Sequence, residues 1–213
     1  MATIFTHSLI GLAVGKIFGT SNLVISKKRF WIFSFVCPAL PDTDSLGLLY
    51  LGIPYEHIFG HRGFTHSIFF SVFLGLLVVF LFFRKENLNK LNSFLLIMYF
   101  TLITTTHSIL DALTNGGLGI AFFSPFDNSR HFFPYRPLEV SPLSIEKFFK
   151  ERGLDILSNE LIWVLIPALI FIFIKIVIKK MIVKYKANTK DHSKRINYNE
   201  DVSRHQFYGR DKN

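Results

Sequence analysis

The sequence predicts an all-α membrane protein, a bundle of about five transmembrane helices of which the first either crosses or re-enters. Half of the 213 residues are hydrophobic and only 18% are charged, which excludes a disordered chain and an ordinary solvated domain. Three apolar runs approach the length that spans a bilayer core, about 20 residues with a lower limit near 17. The basic residues cluster between these runs. The single cysteine, Cys37, excludes an intramolecular disulfide framework and a thiolate-rich zinc site.

The clearest runs are residues 67–83, 94–110 and 161–178. Three such runs are hard to explain as core helices of a soluble protein. Two further segments are less uniform. Residues 4–20 are apolar but contain a histidine and a lysine, and residues 30–53 contain two prolines and two aspartates. Five crossings are therefore expected, three of them from continuous apolar runs.

The distribution of Lys and Arg predicts the orientation. Residues 16–29, 84–92 and 175–213 carry 18 of the 24 basic residues, so they are expected on the cytoplasmic side, with the N-terminus outside. The net charge of +9 is then a topology signal, and no nucleic-acid partner is expected. The predicted organisation is an integral membrane domain over 1–180 with an outer loop over 114–160. A basic, disordered cytoplasmic tail is expected over 181–213.

Ionisable side chains lie at one predicted depth, near the outer face, on four different segments. Such groups are costly in a membrane and usually face a functional cavity. Their convergence predicts a buried site near the outer leaflet. The residues concerned are His7, Asp42, Asp44, His61, His66, His107 and Asp111.

Three Thr-His-Ser triplets recur, centred on His7, His66 and His107. One interpretation is structural: the hydroxyl residue caps a helix end and the histidine points inward. The other is that all three histidines belong to the predicted site. Three triplets among eight histidines favour the second interpretation, although they do not establish a duplicated fold.

His107 and Asp111 are four residues apart, hence about 40° apart around a helix. Thr104 and Thr114 fall on the same face, giving one polar stripe on an otherwise apolar helix. The pair could ligate one metal ion, or the carboxylate could orient the imidazole. A simple His–Asp hydrogen bond is an equally good interpretation of this pair alone.

Pro38 and Pro41 disfavour a regular helix around Asp42 and Asp44. In an extended break, residues two apart point the same way, so both carboxylates could reach one site. Irregular backbone at membrane depth has to be buried in protein or line a cavity. Ordinary turn chemistry after proline is the alternative.

The segment His61-Arg62-Gly63-Phe64-Thr65-His66-Ser67 precedes the third crossing, and Gly63 permits a tight turn that brings the two histidines together. Neutral imidazoles beside carboxylates suit zinc or another first-row divalent ion. Arg62 could hold a phosphate or carboxylate bidentately. In the outer loop, which could cover the site, Arg130 and Arg136 either steer an anionic head group or anchor the chain at the interface.

Together these residues resemble a family of small bacterial inner-membrane proteins described as membrane-bound metal-dependent hydrolases, one of which, in Escherichia coli, is regulated by the LexA repressor. The resemblance covers residues 2 to about 145, and the His-Arg-Gly-x-Thr-His block is its most specific part. It rests on Thr6-His7, Pro41-Asp42-x-Asp44, the block 61–67, His107-x-x-x-Asp111-x-x-Thr114, Gly116, Pro125-Phe126 and Arg130. Asn115 stands where an aromatic residue is expected, a departure that concerns the pocket more than the metal.

The resemblance implies an integral membrane hydrolase with a divalent metal but supplies no substrate. We expect zinc, with a metal-activated water that attacks an ester, phosphoester or amide of a membrane lipid or lipid-linked substrate. The expected ligands are His61, His66, His107 and Asp111, and Asp42 is either a fifth ligand or the general base. Asp42, Asp44 and Arg62 are the expected catalytic residues. Asp44 and His7 would complete a second shell or a second metal position, and Arg62, Arg130 and Arg136 would bind substrate. The alternatives are a proton or divalent-ion transporter using the same residues and a non-catalytic membrane scaffold. The oligomeric state is not predicted.

Overall fold

The computed structural model describes residues 1–208 except 21, 22, 24, 87, 143 and 144, and is helical throughout its regular parts. The side chains of 145, 151, 187, 188 and 190–208 are outside the description as well. Two compact units are present, Met1–Ile170 and Phe171–Asn213. The α-helices are α1 (Ile4–Phe18), α2 (Lys27–Val36), α3 (Ser45–Tyr50), α4 (Ile68–Val78), α5 (Lys90–Ala112), α6 (Ile145–Lys147), α7 (Gly153–Glu160) and α8 (Ile166–Tyr208). Shorter 3₁₀ segments cover Cys37–Asp44 and Phe64–His66, and π-helical turns cover Val79–Phe83, Phe148–Arg152 and Leu161–Leu165.

Helices α4 and α5 form the most extensive helix pair of the first unit. They approach closely because α4 carries Gly75 at the contact, where a Cβ would lie 2.5 Å from Thr101 Oγ1. Small residues at helix contacts are characteristic of membrane proteins, where backbone proximity replaces hydrophobic driving force. Aromatic side chains, among them Phe30, Tyr99 and Phe100, fill the space between these helices and α2.

Helix α1 packs on α2, α5 and the 3₁₀ segment Cys37–Asp44. Gly11 allows this contact, since a Cβ there would lie 2.0 Å from the Ser34 carbonyl oxygen. The start of α1 is fixed by the buried Glu160, whose carboxylate accepts hydrogen bonds from the Thr3 and Thr6 hydroxyls at 2.6 and 2.7 Å. The first helix is therefore attached to the core at its start and at its middle.

The chain around Asp42 and Asp44 is a 3₁₀ helix, so the prediction of an extended break is wrong. Pro38 lies in the first turn, where a missing N–H costs no helical hydrogen bond. With three residues per turn, side chains two apart diverge by about 120° instead of pointing the same way. The two carboxylates accordingly reach different atoms of the site.

Two continuous helical stretches, Lys90–Ala112 and Gly153–Lys186, are long and apolar enough to cross a membrane. Shorter apolar helices cover Ile4–Phe18 and Ile68–Phe83. Large apolar side chains such as Phe73 on α4 are half exposed, which suits a lipid-facing surface. A helical membrane protein is therefore supported, whereas the expected number of about five crossings stays a prediction.

Helix α8 continues to Tyr208 through most of the tail that the composition predicts to be disordered. Between 168 and 208 the sequence has no glycine or proline to interrupt a helix. The remaining tail residues, 209–213, lie outside the described residues.

Candidate metal centre

Four buried side chains from three elements meet in the first unit: Asp42, His66, His107 and Asp111. One possible ligand atom of each lies within 4.8 Å of the others. The 3₁₀ segment Cys37–Asp44 contributes Asp42, the turn before α4 contributes His66, and α5 contributes the other two. On α5 the four-residue spacing puts His107 and Asp111 on one face, as the sequence predicts. We refer to these four residues as the central cluster.

The hydrogen bonds of the two imidazoles point both Nε2 atoms into the central cluster. His107 Nδ1 lies 2.7 Å from the Pro38 carbonyl oxygen, which can only accept, so Nδ1 carries the proton. His66 Nδ1 lies 3.1 Å from Asp44 Oδ2, another acceptor. The two Nε2 atoms are 2.9 Å apart. Two unprotonated nitrogens at this distance require a proton or a cation between them, and this arrangement is the one that metal-binding histidines adopt.

Asp42 supplies the second indication of a cation-binding site. Neither of its carboxylate oxygens forms a hydrogen bond with any of the residues described, although the side chain is buried. Oδ1 lies 3.4 Å from His107 Nε2 and 3.7 Å from His66 Nε2. A buried carboxylate without hydrogen bonds is costly, and a divalent ion beside the two imidazoles would compensate it.

Asp111 is shared between the central cluster and the surrounding protein. Its Oδ1 accepts a hydrogen bond of 2.7 Å from the Ala2 backbone N–H, and its Oδ2 accepts one of 3.1 Å from Arg62 Nε. Oδ2 also lies 3.7 Å from His66 Nε2. Asp111 can therefore hold a metal while fixing the start of the chain and the Arg62 side chain.

Asp44 belongs to a second group, with His61 and His66. Its carboxylate lies 2.7 Å from His61 Nδ1, accepts a bond of 3.1 Å from the Arg62 backbone N–H and also accepts one from the Thr65 hydroxyl. With so many donors around it, this carboxylate is suited to orienting the two imidazoles. The structure thus places His61 with Asp44 and outside the central cluster, although the sequence analysis groups it with the other ligands.

The histidines of the three Thr-His-Ser triplets are all fully buried and meet at the site. The His7 ring stacks on His107 with 3.7 Å between centroids, and the His66 ring meets His107 edge-on at 4.6 Å. His7 Nε2 lies 3.4 Å from Asp111 Oδ1. Capping explains only part of the pattern: Ser67 caps α4, but the residue that caps α1 is Thr3 and the third triplet lies inside α5.

Arg62 is fully buried and directed at protein acceptors. Besides Asp111, its guanidinium donates to the Gly116 carbonyl at 2.7 Å and to Thr114 Oγ1 at 2.9 Å. Its backbone has a φ of 65°, an unfavourable value for a residue with a side chain. These bonds make Arg62 a brace for Asp111, which differs from the substrate clamp that its position in the sequence suggests.

The two arginines of the outer loop have different environments. Arg130 donates to the backbone carbonyls of His61 and Tyr55 at 3.0 and 2.8 Å, so it stabilises the turn that carries His61. Partial burial lowers the pKa of Arg130, which nevertheless remains protonated at neutral pH. Arg136 is exposed and lies over the Phe132 ring. The structure brings Arg130 near the site and leaves Arg136 at the surface.

Sequence reasoning missed two functional contacts and one buried acid. The Pro38 carbonyl sets the His107 tautomer, and the Ser108 hydroxyl donates to the His66 carbonyl at 2.6 Å. A sequence does not show which backbone carbonyl accepts a hydrogen bond, but Ser108 belongs to the third Thr-His-Ser triplet. Glu160 could have been found as a lone carboxylate directly before an apolar run.

The comparisons with known proteins identify the family. The family described as YdjM inner membrane protein matches residues 1–182. The chain belongs to the YdjM inner membrane protein family. A relative, inner membrane protein YbcI of Escherichia coli (strain K12), is 32% identical over 170 residues, which are 80% of this chain and 94% of that protein. No solved structure matches.

Every residue of the central cluster and of the second group lies within the matched part of this YdjM-family chain. The match confirms the inner-membrane assignment implied by the resemblance. The membrane orientation, the hydrolase activity and the link to LexA are not part of what the names state, and they stay predictions.

Proposed function

We propose that this chain is a membrane-embedded, metal-dependent hydrolase that cleaves an ester, phosphoester or amide of a membrane lipid or lipid-linked substrate. The observation that carries the proposal is the central cluster, in which two imidazole Nε2 atoms face the carboxylate of Asp42, which has no hydrogen bond from any described residue. Two nitrogen and two oxygen donors form a ligand set that zinc accepts, and zinc is the ion we propose.

The residues have separate roles in this proposal. His66, His107 and Asp42 would hold the ion, and Asp111 would complete the set while remaining bonded to Arg62. Asp44 would keep His66 and His61 in their orientations. A bound divalent ion would polarise the scissile group and lower the pKa of water at the site. His61, next to the cluster but outside it, would exchange a proton with substrate or water.

A lipid substrate is proposed because the cluster is formed by helices with exposed apolar faces, in a protein of an inner-membrane family. Cleavage confined to water-soluble substrates would contradict this part of the proposal.

The test is a hydrolysis screen with detergent-purified protein and a panel of lipid esters, phosphoesters and amides. We expect turnover by wild type that chelation abolishes and added zinc restores. Asp42→Asn should lower the rate by about 100-fold or more, since a ligand contributes at least as much as its outer-shell partners. The matched control is Asp127→Asn, which changes an exposed aspartate outside the cluster. Equal rates for Asp42→Asn and wild type would overturn the proposal.

A further inference from the structure

A cavity of about 340 Å³ lies beside the central cluster. Its inner wall is formed by His61 and Arg62, which contact the carboxylates of Asp44 and Asp111 at 2.7 and 3.1 Å. Tyr55 and Gly117 line it as well. The volume falls at the lower end of the range for small-molecule sites, enough for a head group.

Two further cationic side chains line the cavity. They are Lys147, the last residue of α6, and Arg152, the last residue of the π-helical turn that follows it. Among the described residues that line the cavity, none is acidic. Arg62 adds a third positive group, but its donors are bonded to Asp111, Thr114 and Gly116, and its charge is balanced by Asp111. Lys147 and Arg152 are the other cationic groups of the lining.

Arg152 donates a hydrogen bond from Nη2 to the carboxylate of Glu139. Both of these side chains are partly exposed, so water screens the pair and the pair contributes little to stability. A guanidinium has five N–H donors, and a multivalent anion in the cavity would engage it more strongly than this contact does.

We propose that the cavity binds a phosphate-type anion through Lys147 and Arg152, which deepens the proposed function by naming a phosphate-bearing substrate class. A phosphomonoester carries close to two negative charges at neutral pH, matching two cationic side chains. An anion bound in the cavity would place the adjoining bond of the substrate beside His61 and the central cluster. The interpretation as a substrate site depends on the proposed hydrolase function, but the binding itself requires neither metal nor turnover.

The experiment is isothermal titration of the full chain in detergent with two probes, inorganic phosphate and phosphatidic acid in mixed micelles. The test variant is the double substitution Lys147→Gln/Arg152→Gln. The control is Lys150→Gln, in the same segment but paired with Glu146 and absent from the cavity lining. We expect the double variant to bind at least about tenfold more weakly, because two charge-assisted contacts are lost, and the control to match wild type. Thermal unfolding of each variant checks that the fold is kept.

Binding of both probes supports a site for phosphate itself, and binding of phosphatidic acid alone supports a lipid head group as its source. Each titration is repeated after chelation. Binding that survives chelation in an inactive protein separates this inference from the hydrolase proposal. Equal binding by wild type and the double variant, or no binding of either probe, would overturn it.

Discussion

At the scale of single residues, the two neighbouring aspartates have different tasks despite their similar burial. Asp42 has no hydrogen bond from the described residues and faces the two Nε2 atoms, whereas Asp44 is surrounded by donors from His61, Thr65 and the Arg62 backbone. An uncommitted carboxylate is suited to binding a metal, and a fully bonded one is suited to holding ligands in place. The sequence spacing alone could not separate the two roles, because it left the backbone conformation open.

This division predicts the effect of Asp44→Asn. The amide replaces one acceptor oxygen with a donor, so His66 loses part of its support while the central cluster keeps all its ligands. Zinc affinity should fall by about 10- to 100-fold, without being abolished. Competition with a coloured chelator measures it, with Asp127→Asn as the control. Unchanged affinity in Asp44→Asn would show that Asp44 does not orient the ligand.

The sequence indicates that Arg62 binds a negatively charged group, but it does not identify Asp111 as that group. Its side chain is buried against Asp111, so Arg62→Ala leaves a buried carboxylate without its partner. We expect a loss of about 3–5 kcal/mol in the free energy of unfolding. The control is Arg29→Ala, which breaks a partly exposed ion pair with Glu86 and should cost less than about 1 kcal/mol. Thermal or denaturant unfolding in detergent compares them; similar losses in both variants would contradict the buried brace.

At the scale of helices, the apolar runs predict the positions of α1, α4 and α5 well, since periodicity and run length are local properties. The segment Cys37–Asp44 was harder to predict. Its prolines argue against an α-helix, but the choice between an extended break and a 3₁₀ helix depends on contacts such as that between the Pro38 carbonyl and His107, which lie far apart in the chain. Close approach between helices likewise depends on a partner that only the fold supplies.

The approach of α4 to α5 gives a prediction at this scale. In Gly75→Ala the new methyl group would meet Thr101 Oγ1 at 2.5 Å and the Ile97 carbonyl at 2.9 Å, so the two helices must separate. The expected cost is about 1–3 kcal/mol of unfolding free energy, from overpacking. Val72→Ile adds a methyl group to the same helix at an exposed position and should be nearly neutral. Unfolding curves in detergent measure both. Equal stability of Gly75→Ala and wild type would show that the contact is looser than described.

At the scale of the whole molecule, the distribution of basic residues predicts the side of the membrane on which the site lies. The basic segments around Lys85 and after Lys175 are expected in the cytoplasm, and the histidines and aspartates are expected near the other face. The distribution of basic residues suffices for this expectation, whereas the inner-membrane assignment rests on the family resemblance and the family match. The sequence does not predict the cavity, because only the fold brings Lys147 and Arg152 to the same cavity as His61.

Cysteine labelling tests the orientation. The native Cys37 is fully buried, so single cysteines can be added to the wild-type background. In spheroplasts, Phe126→Cys, at a position 84% exposed in the outer loop, should react with a membrane-impermeant maleimide. Lys85→Cys should react only after the membrane is permeabilised, and wild type should stay unlabelled. The reverse pattern would place the N-terminus and the site at the cytoplasmic face.

The central claim is that Asp42, His66, His107 and Asp111 hold one divalent metal. Elemental analysis of detergent-purified protein after extensive dialysis tests it most directly, comparing wild type with His66→Ala and Asp42→Asn. His57→Ala, at an exposed histidine outside the cluster, is the control. We predict about one zinc per chain in wild type and control and less than about one tenth of that in both folded cluster variants. No metal in wild type even after reloading with zinc, or equal metal in every variant, would contradict the account.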